Sequence, residues 1–360
     1  MDASGPVRTR VYRFLSYRGR KSAKHESNIR KLWAGLAILL CIEATNSFTA
    51  WAAEPPKTGT LSFVLENDLF YDVDQHYTNG VGFVWVPDRR TPTPEWAVRL
   101  ARRAPWFPEE GPVYHGYAFG QSMFTPSDIK LSDPPLSERP YAGWLYGLVG
   151  VGTATDGQFD LFTLSLGMVG PISLAEPSQK FVHKVIGADE PRGWDTQLGN
   201  EPGFVATYQR SWRGLAKASL GGTRLDLTPH LGGALGNVFT YVNAGLTLRF
   251  GKHLPKDYGP PRIQPGLLGS GEFVPTSGFN WYLFAGIEGR AVARNIFLDG
   301  NSFQDSRSVD RRPLVGDLQY GFVIDWQDVR FGYTHVLRTR EYRGQDSGDD
   351  FGAVSISINF

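Results

Sequence analysis

The C-terminal end of the sequence is the feature that most constrains the fold. Residues 354–360 alternate strictly between apolar and polar side chains, and the last of them is the aromatic Phe360. A period of two places one type of side chain on each face of a β-strand. A soluble edge strand can have this pattern, but it is also typical of the closing strand of a bacterial outer-membrane β-barrel.

The other end of the chain carries a predicted export signal. Two basic residues at positions 30–31 precede the apolar run 32–42, and the sequence Ala-Trp-Ala at 50–52 provides a small-residue cleavage site. The apolar run is too short to span a bilayer as a helix. We therefore expect an N-terminal extension and signal peptide over residues 1–52 and a barrel domain over residues 53–360.

The composition agrees with an exported barrel. The chain contains 42 glycines and 13% aromatic residues, yet its mean hydropathy is −0.27, and a barrel with a polar lumen and aromatic girdles has this combination. The single cysteine, Cys41, lies in the predicted signal, which excludes a disulfide framework, a thiolate metal site and a cysteine nucleophile from the mature chain. A net charge of +1 argues against nucleic acid as a partner.

The mature chain contains twelve candidate strands, an even number that suits a closed bacterial barrel. They are residues 60–67, 77–86, 113–123, 141–153, 157–169, 202–213, 215–228, 236–251, 279–292, 314–326, 328–340 and 350–360. In the fifth strand Phe162, Leu164 and Leu166 oppose Thr163 and Ser165, as expected for lipid outside and a polar interior. The predicted fold class is all-β, a transmembrane antiparallel β-barrel with a short helix in an outer loop. The alternative is a soluble β-sandwich.

Strand parity assigns the connections to the two sides of the membrane. If the first strand rises from the periplasm, the tight turns at 155–157, 213–214 and 327–328 lie on the periplasmic side, where short turns belong. A short interfacial helix is predicted near residues 94–100 on the same side. The predicted outer connections are 69–76, 124–140, 170–201, 229–235, 293–313 and 341–349.

Oxygen ligands for a cation are concentrated around the first outer connection. Glu66, Asn67 and Asp68 end the first strand, and Thr78 and Asn79 lie at the start of the second. Carboxylate, amide and hydroxyl oxygens suit a hard cation such as Ca²⁺. The alternative is a polar hairpin in which Asn-Gly is a turn signal.

The longest outer connection, 170–201, contains a candidate general base. Residues 176–186 are compatible with a short helix that carries an apolar stripe and includes His183. A neutral imidazole can take a proton from water, and a nearby cation can stabilise an oxyanion. The alternative is a solvated loop histidine.

Three basic residues of the outer loops are candidates for binding substrate phosphate. They are Lys130, Arg139 and Lys184. Ammonium and guanidinium groups bind phosphate through charge-assisted hydrogen bonds. The alternative is that these cations meet the headgroups of membrane lipids.

At these residues the chain resembles the outer-membrane lipid A 3′-O-deacylase family (LpxR-type), and the resemblance covers nearly all of the predicted mature chain. Its motifs are Glu66-Asn67-Asp68-Leu69-Phe70, Tyr77-Thr78-Asn79-Gly80, Phe119-Gly120-Gln121 with Phe124-Thr125-Pro126, Arg139-Pro140-Tyr141-Ala142-Gly143-Trp144, and Gln179-x-x-x-His183-x-x-x-Gly187 followed by Trp194, Gln197 and Asn200. The resemblance implies an outer-membrane barrel of twelve strands whose active site faces the cell exterior. It also implies Ca²⁺-dependent removal of the 3′-acyloxyacyl chain from lipid A or lipopolysaccharide.

The resemblance further implies roles for individual residues. His183 matches the family's base, and Gln179 matches its supporting amide. Asn67 and Asp68 match the family's essential Asn-Asp pair and Thr78 its hydroxyl residue, so we expect these residues to be catalytic as well. The predicted ligands of Ca²⁺ all offer oxygen atoms and are Asn67, Asp68, Thr78 and Asp189. We expect a monomer in contact with outer-membrane lipid.

Three other functions stay open at the level of sequence. A passive pore would depend on the polar lumen residues Glu288 and Arg290. An outer-membrane phospholipase would use a serine nucleophile. A ligand-binding barrel without activity would bind metal without hydrolysis.

Overall fold

The computed structural model describes the backbone of residues 58–67, 76–88, 90–255 and 278–360 and, outside 76–79, their side chains. The predicted extension and signal peptide, residues 1–52, lie outside the described residues. The strands within this part of the chain are β1 (Gly59–Asn67), β2 (His76–Pro87), β3 (Val113–Thr125), β4 (Ala142–Ala154), β5 (Gln158–Val169), β6 (Glu201–Trp212), β7 (Ala216–Leu220), β8 (Thr223–Gly236), β9 (Phe239–Gly251), β10 (Phe279–Asn295), β11 (Leu314–Trp326), β12 (Val329–Arg338) and β13 (Asp349–Asn359). The α-helices are α1 (Glu95–Arg103), α2 (Ala175–Ile186) and α3 (Ile296–Asp299), and single 3₁₀ turns occur at Pro171–Ser173 and Trp194–Thr196.

Twelve of the described strands close an antiparallel barrel. Consecutive strands from β1 to β6 and from β8 to β13 pair with one another; β1 pairs with β13 over residues 60–67, and β6 pairs with β8 over residues 205–211. The short strand β7 pairs only with the first part of β8. Closure gives each of the twelve barrel strands a hydrogen-bonded neighbour on both sides, which suits a lipid environment. The predicted fold class, including a short helix in a long connection, is confirmed.

Two adjacent parts of the predicted strand pattern are wrong. The sequence predicts a strand at 215–228 and an outer connection at 229–235, whereas β8 extends through residue 236 and is followed by only two residues, Asn237 and Val238, before β9. The segment before β8 holds β7 and a hairpin turn instead.

Glycines explain the error in β8. Gly232 and Gly233 indicate a loop in the sequence, but both lie within the strand. A Cβ atom at Gly232 would meet the Tyr208 carbonyl oxygen at 2.6 Å, and one at Gly233 would meet the Tyr241 carbonyl oxygen at 2.9 Å. These glycines therefore allow the neighbouring backbones to approach closely.

Side chains alternate between the interior and the outward face, as predicted. On β5, Thr163 and Ser165 are buried in the interior, whereas Leu166 is 56% exposed on the outward face. On β10, Asn280 is buried and Ile287 is exposed. An apolar outward face and a polar interior are typical of barrels that lie in a bilayer.

The interior contains charged side chains that neutralise one another. Arg338 donates to Asp317 through Nε and Nη2, both at 2.9 Å, and Arg290 Nη2 donates to the same carboxylate at 2.8 Å. Glu288 Oε2 lies 3.0 Å from His230 Nε2. An unpaired buried ion costs several kcal/mol, about 3–5 kcal/mol when one partner is removed. These pairs therefore tie β10, β11 and β12 together from the inside.

The two ends of the barrel carry different connections. One end, which we name the loop end, carries the connections 126–141, 170–200, 237–238, 296–313 and 339–348. The other end carries the tight turns at 155–157 and 327–328 and the segment that contains α1. No described helix is long and apolar enough to cross a membrane.

The helix α1 confirms the prediction of a short helix near residues 94–100. Its buried residues, Ala97 and Ala101, pack in one cluster with Val151 of β4. Trp96 and Leu100 are exposed on its other side.

The described chain contains two compact units. Of the described residues, Phe181–Asp189 belong to one unit, which we name the second unit, and all the others belong to the barrel unit. The helix α2 therefore begins in the barrel unit and ends in the second unit.

Candidate active site

The segment that follows β5 lies against the outward face of β4 at the loop end. Gly143 makes this contact possible, because a Cβ atom here would overlap the Ser173 Oγ and Ala175 Cβ atoms. The Gly170 N–H donates to the Gly143 carbonyl oxygen at 3.0 Å. On β3, Gln121 Nε2 donates to the Ser173 carbonyl oxygen at 2.6 Å. These contacts hold the start of α2 on the barrel wall.

A buried amide–indole pair also holds α2. Trp194 Nε1 donates to Gln179 Oε1 at 2.8 Å, and the two residues are 1% and 2% exposed. The Trp194 ring lies 5.0 Å from the Tyr141 ring, in a cluster that includes Met123 and Ala175. Because the indole N–H can only donate, the amide oxygen must face it, and the orientation of the Gln179 amide is fixed.

The other end of the Gln179 amide is a buried donor. Its Nε2 atom has no hydrogen-bond acceptor among the described residues. Most buried side-chain donors in proteins do have an acceptor, supplied by protein or by water. The nitrogen is therefore available to a water molecule or to a ligand oxygen.

The first turns of α2 contain an ion pair on the more exposed side. Lys180 Nζ lies 2.6 Å from Glu176 Oε1, one helical turn earlier. The side-chain hydrogen bond to Glu176 raises the pKa of Lys180. Such partly exposed pairs contribute roughly 0.3–0.5 kcal/mol to a helix, so this pair supports α2 only slightly.

His183 lies in the second unit, one helical turn after Gln179 along α2. His183 is 3% exposed, and its Nδ1 atom lies 2.5 Å from the Asp189 carbonyl oxygen. Because a carbonyl oxygen only accepts hydrogen bonds, this contact favours a proton on Nδ1.

The structure describes only some of the candidate oxygen ligands. Asn67 follows Leu61, Phe63 and Leu65 on the outward face of β1, yet it is only 7% exposed. Asn67 pairs across β1 and β2 with Asn79. The Asp68 prediction lies outside the described residues. Among the described residues, no three histidine, cysteine, aspartate or glutamate side chains converge on one point.

The backbone at Thr78 departs from regular pairing. Between β2 and β3, Tyr77 pairs with Phe124 and Asn79 pairs with Met123, so Thr78 has no partner in the ladder. This is a β-bulge, which redirects side chains and is common next to active sites. The sequence offers no signal for the bulge beyond the polar run in which it lies.

The three candidate phosphate-binding residues lie in different environments. Lys130 and Lys184 are exposed. Arg139 is 1% exposed; its Nη2 atom lies 3.5 Å from Glu341 Oε2, and its guanidinium lies 5.2 Å from the centre of the Phe124 ring. Phe124 is on the interior face of β3. Arg139 therefore lies inside the barrel, whereas the Gln179–Trp194 pair lies outside it. A role for Arg139 in substrate binding stays a prediction.

Sequence reasoning alone does not identify the contacts that hold α2 in place. Gln121, Tyr141 and Ser173 are parts of this support. Gly143 makes this support possible, but β4 also contains Gly147, Gly150 and Gly152, so the sequence alone does not single it out.

Comparison with known proteins agrees with this architecture. The profile of the family described as "Outer membrane protein LpxR" matches residues 36–360 of the chain. Among solved structures, the chain is similar to LpxR from Salmonella typhimurium, with 21% sequence identity, a TM-score of 0.68, and coverage of 84% of this chain and 100% of that chain. It is also similar to the β domain of the Bordetella autotransporter Brka, with 10% identity, a TM-score of 0.40, and coverage of 85% of this chain and 100% of that chain. No curated protein sequence matches the chain at a significant level.

The family match extends over most of the chain, including every described strand, and the Salmonella structure shares the barrel fold. An outer-membrane location also accounts for the apolar outward face. The chain therefore belongs to the outer membrane protein LpxR family.

Proposed function

We propose that this outer-membrane protein is a Ca²⁺-dependent lipid A 3′-O-deacylase, a carboxylic-ester hydrolase whose active site faces the cell exterior. Membership of the LpxR family supports the reaction class. The observation that carries the proposal is the contact of buried His183 Nδ1 with the Asp189 carbonyl oxygen, together with the Gln179–Trp194 hydrogen bond in the same connection.

His183 acts as the general base in this proposal. With Nδ1 donating to the Asp189 carbonyl oxygen, the lone pair on Nε2 takes a proton from a water molecule. The water oxygen forms a bond to the ester carbonyl carbon. The protonated imidazole then gives its proton to the 3′ oxygen of the sugar as the ester bond breaks. The products are the free acyloxyacyl acid and lipid A with a 3′ hydroxyl group.

The residues that would hold Ca²⁺ are Asn67, Asp68, Thr78 and Asp189. Their amide, carboxylate and hydroxyl oxygens fit a hard cation, whereas none of them offers the nitrogen or sulfur ligands typical of zinc. When bound, Ca²⁺ supplies positive charge at the ester carbonyl oxygen, where negative charge develops during attack. The burial of Asn67 on the outward face is consistent with a site beneath other groups rather than with a solvated strand end.

Gln179 acts as a positioning and donor group. Its Nε2 atom is buried and has no acceptor within the described residues, so an oxygen of the substrate or an ordered water completes its hydrogen bonding. The exposed residues Lys130 and Lys184 are the proposed contacts for lipid A phosphates. The substrate is lipid A or lipopolysaccharide of the outer leaflet.

Hydrolysis by the purified protein tests the proposal. Lipid A is incubated with wild type, with His183→Ala and with His253→Ala, and the released fatty acid is measured by mass spectrometry. His253 is an exposed histidine next to β9, at the opposite end of the barrel from the loop end, and serves as the matched control. We expect His183→Ala to lower the rate by roughly 10²–10⁴-fold, and His253→Ala to leave it unchanged.

Two further results would count against the proposal. Equal rates for wild type and His183→Ala would show that His183 is not the general base. Inactivation of wild type by a serine-directed organophosphate would instead indicate a phospholipase with a serine nucleophile.

A further inference from the structure

A row of small residues crosses the outward face of the barrel far from α2. In the pairing of β8 to β11, Leu231 lies opposite Ala244, Ala244 opposite Gly289, and Gly289 opposite Gly316. The row continues to Thr339, whose N–H donates to the Gly316 carbonyl oxygen at 2.9 Å. Three successive strands, β9, β10 and β11, therefore present no side chain larger than a methyl group at this level.

The fold does not require these two glycines. Neither has a positive φ. A Cβ atom at Gly289 would meet no atom within 4 Å, and one at Gly316 would have its nearest neighbour at 3.7 Å, an ordinary contact. Other glycines of the wall, such as Gly321, lie against a neighbouring carbonyl oxygen. The missing side chains at Gly289 and Gly316 therefore create space on the surface rather than close backbone packing.

Large apolar side chains border this row on both sides. Towards the loop end, Val242 and Leu314 are 63% and 72% exposed, and both lie opposite Ala291. On the other side, Ile287 and Leu318 form the next row and are 57% and 45% exposed. These rows are four residues apart along a strand, roughly 13 Å, which is wide enough for an acyl chain. The groove lined by the row of small residues and by Val242 and Leu314 has a volume of about 930 Å³.

Two arginines line the groove on its loop-end side. Arg312 lies two residues before β11 and Arg340 lies two residues after β12, and both contribute to the lining. Neither guanidinium forms an ion pair with a carboxylate of the described residues. Other arginines of the same connections do: Arg311 lies 3.1 Å from Asp299, and Arg343 lies 3.3 Å from Asp310. Positive charge beside an apolar groove is complementary to an anionic headgroup above an acyl chain.

We propose that this groove is a second, non-catalytic lipid site that binds the lipid A part of lipopolysaccharide. An acyl chain lies over Ala244, Gly289 and Gly316, and a phosphate group contacts Arg312 and Arg340. The identity of the lipid rests on the proposed orientation, which puts the loop end in the outer leaflet. Strands β12 and β13 separate β11 from β1 in one direction around the barrel, and β5, β6 and β8 separate β9 from β4 in the other, so the groove is distinct from the candidate active site.

Native mass spectrometry of the purified barrel tests the proposal, with a chelator present to suppress hydrolysis. The probes are lipid A, dephosphorylated lipid A and phosphatidylglycerol. Gly289→Leu fills the floor of the groove, and Ala285→Leu adds a similar side chain on the outward face of the same strand, outside the groove. Arg340→Gln removes a lining charge, and Arg343→Gln removes a paired charge from the same connection.

We expect wild type, Ala285→Leu and Arg343→Gln to retain equal numbers of lipid A molecules, and Gly289→Leu to retain one fewer. Arg340→Gln should weaken binding to this site about fivefold, because one cation at a membrane surface contributes about 1 kcal/mol. Equal binding by all variants would overturn the proposal, as would equally tight binding of dephosphorylated lipid A or phosphatidylglycerol. If Gly289→Leu does not fold, the comparison of lipid A binding by Arg340→Gln and by Arg343→Gln tests the proposal by itself. The experiment measures lipid binding and not hydrolysis. Its result therefore does not depend on whether the protein is a deacylase.

Discussion

The contact between Gly143 and the start of α2 gives the most specific prediction. In Gly143→Ala, the new methyl group would overlap the Ser173 Oγ and Ala175 Cβ atoms. Restoring a van der Waals separation of roughly 3.5 Å requires the segment 173–175 to move outward by roughly 1 Å. A displacement of this size at a reacting group can lower a rate by about 10²-fold. We therefore expect Gly143→Ala to lower kcat/KM for lipid A deacylation by about two orders of magnitude while the barrel stays folded.

Gly147 provides the matched control for this experiment. It lies on the outward face of the same strand, and a Cβ atom there would meet nothing within 4 Å. The assay is fatty-acid release from lipid A, with heat-modifiable mobility on a gel as the test of folding. Limited proteolysis of the 170–200 connection gives a second readout that does not depend on activity. If Gly143→Ala and Gly147→Ala have equal rates and equal proteolysis, the contact does not position α2.

Three further predictions concern the supports of the site, the interior and the ion. Trp194→Phe removes the donor to the buried Gln179 amide oxygen and should lower the free energy of unfolding by about 1–3 kcal/mol, measured by urea titration in micelles; an unchanged midpoint would contradict the pairing. Asp317→Ala leaves Arg338 and Arg290 without their shared carboxylate and should lower the free energy of unfolding by about 3–5 kcal/mol. Arg343→Gln, at an exposed pair, should lower it by only about 0–1 kcal/mol. Equal effects of the two substitutions would be inconsistent with a buried network. Chelation should abolish lipid A deacylation and Ca²⁺ should restore it better than Mg²⁺, which requires stricter octahedral geometry; full activity in the presence of chelator would exclude the metal.

Most of the barrel could be predicted from alternation alone. A strand such as β5 has an apolar outward face and a polar inward face, and its sequence alternates between apolar and polar residues accordingly. The helix α2 was predicted from its apolar stripe to within one residue at its start. These features depend on local periodicity, which a single sequence contains.

The parts that could not be predicted depend on contacts between distant residues. Gly232 and Gly233 have the composition of a loop, and only the close approach of β6 and β9 shows why a strand needs them. The burial of Arg139 beside Glu341 likewise joins residues 202 positions apart. No local pattern distinguishes that arginine from an exposed one such as Arg343.

The lipid A of cells that express the protein is the most direct test of the central claim. Mass spectrometry compares cells expressing wild type, His183→Ala and His253→Ala with cells lacking the protein. We predict that wild type and His253→Ala produce lipid A without its 3′-acyloxyacyl chain, and that His183→Ala leaves the acyl chains intact. Identical lipid A in all four strains, or loss of the 3′ chain in the His183→Ala strain, would contradict this account.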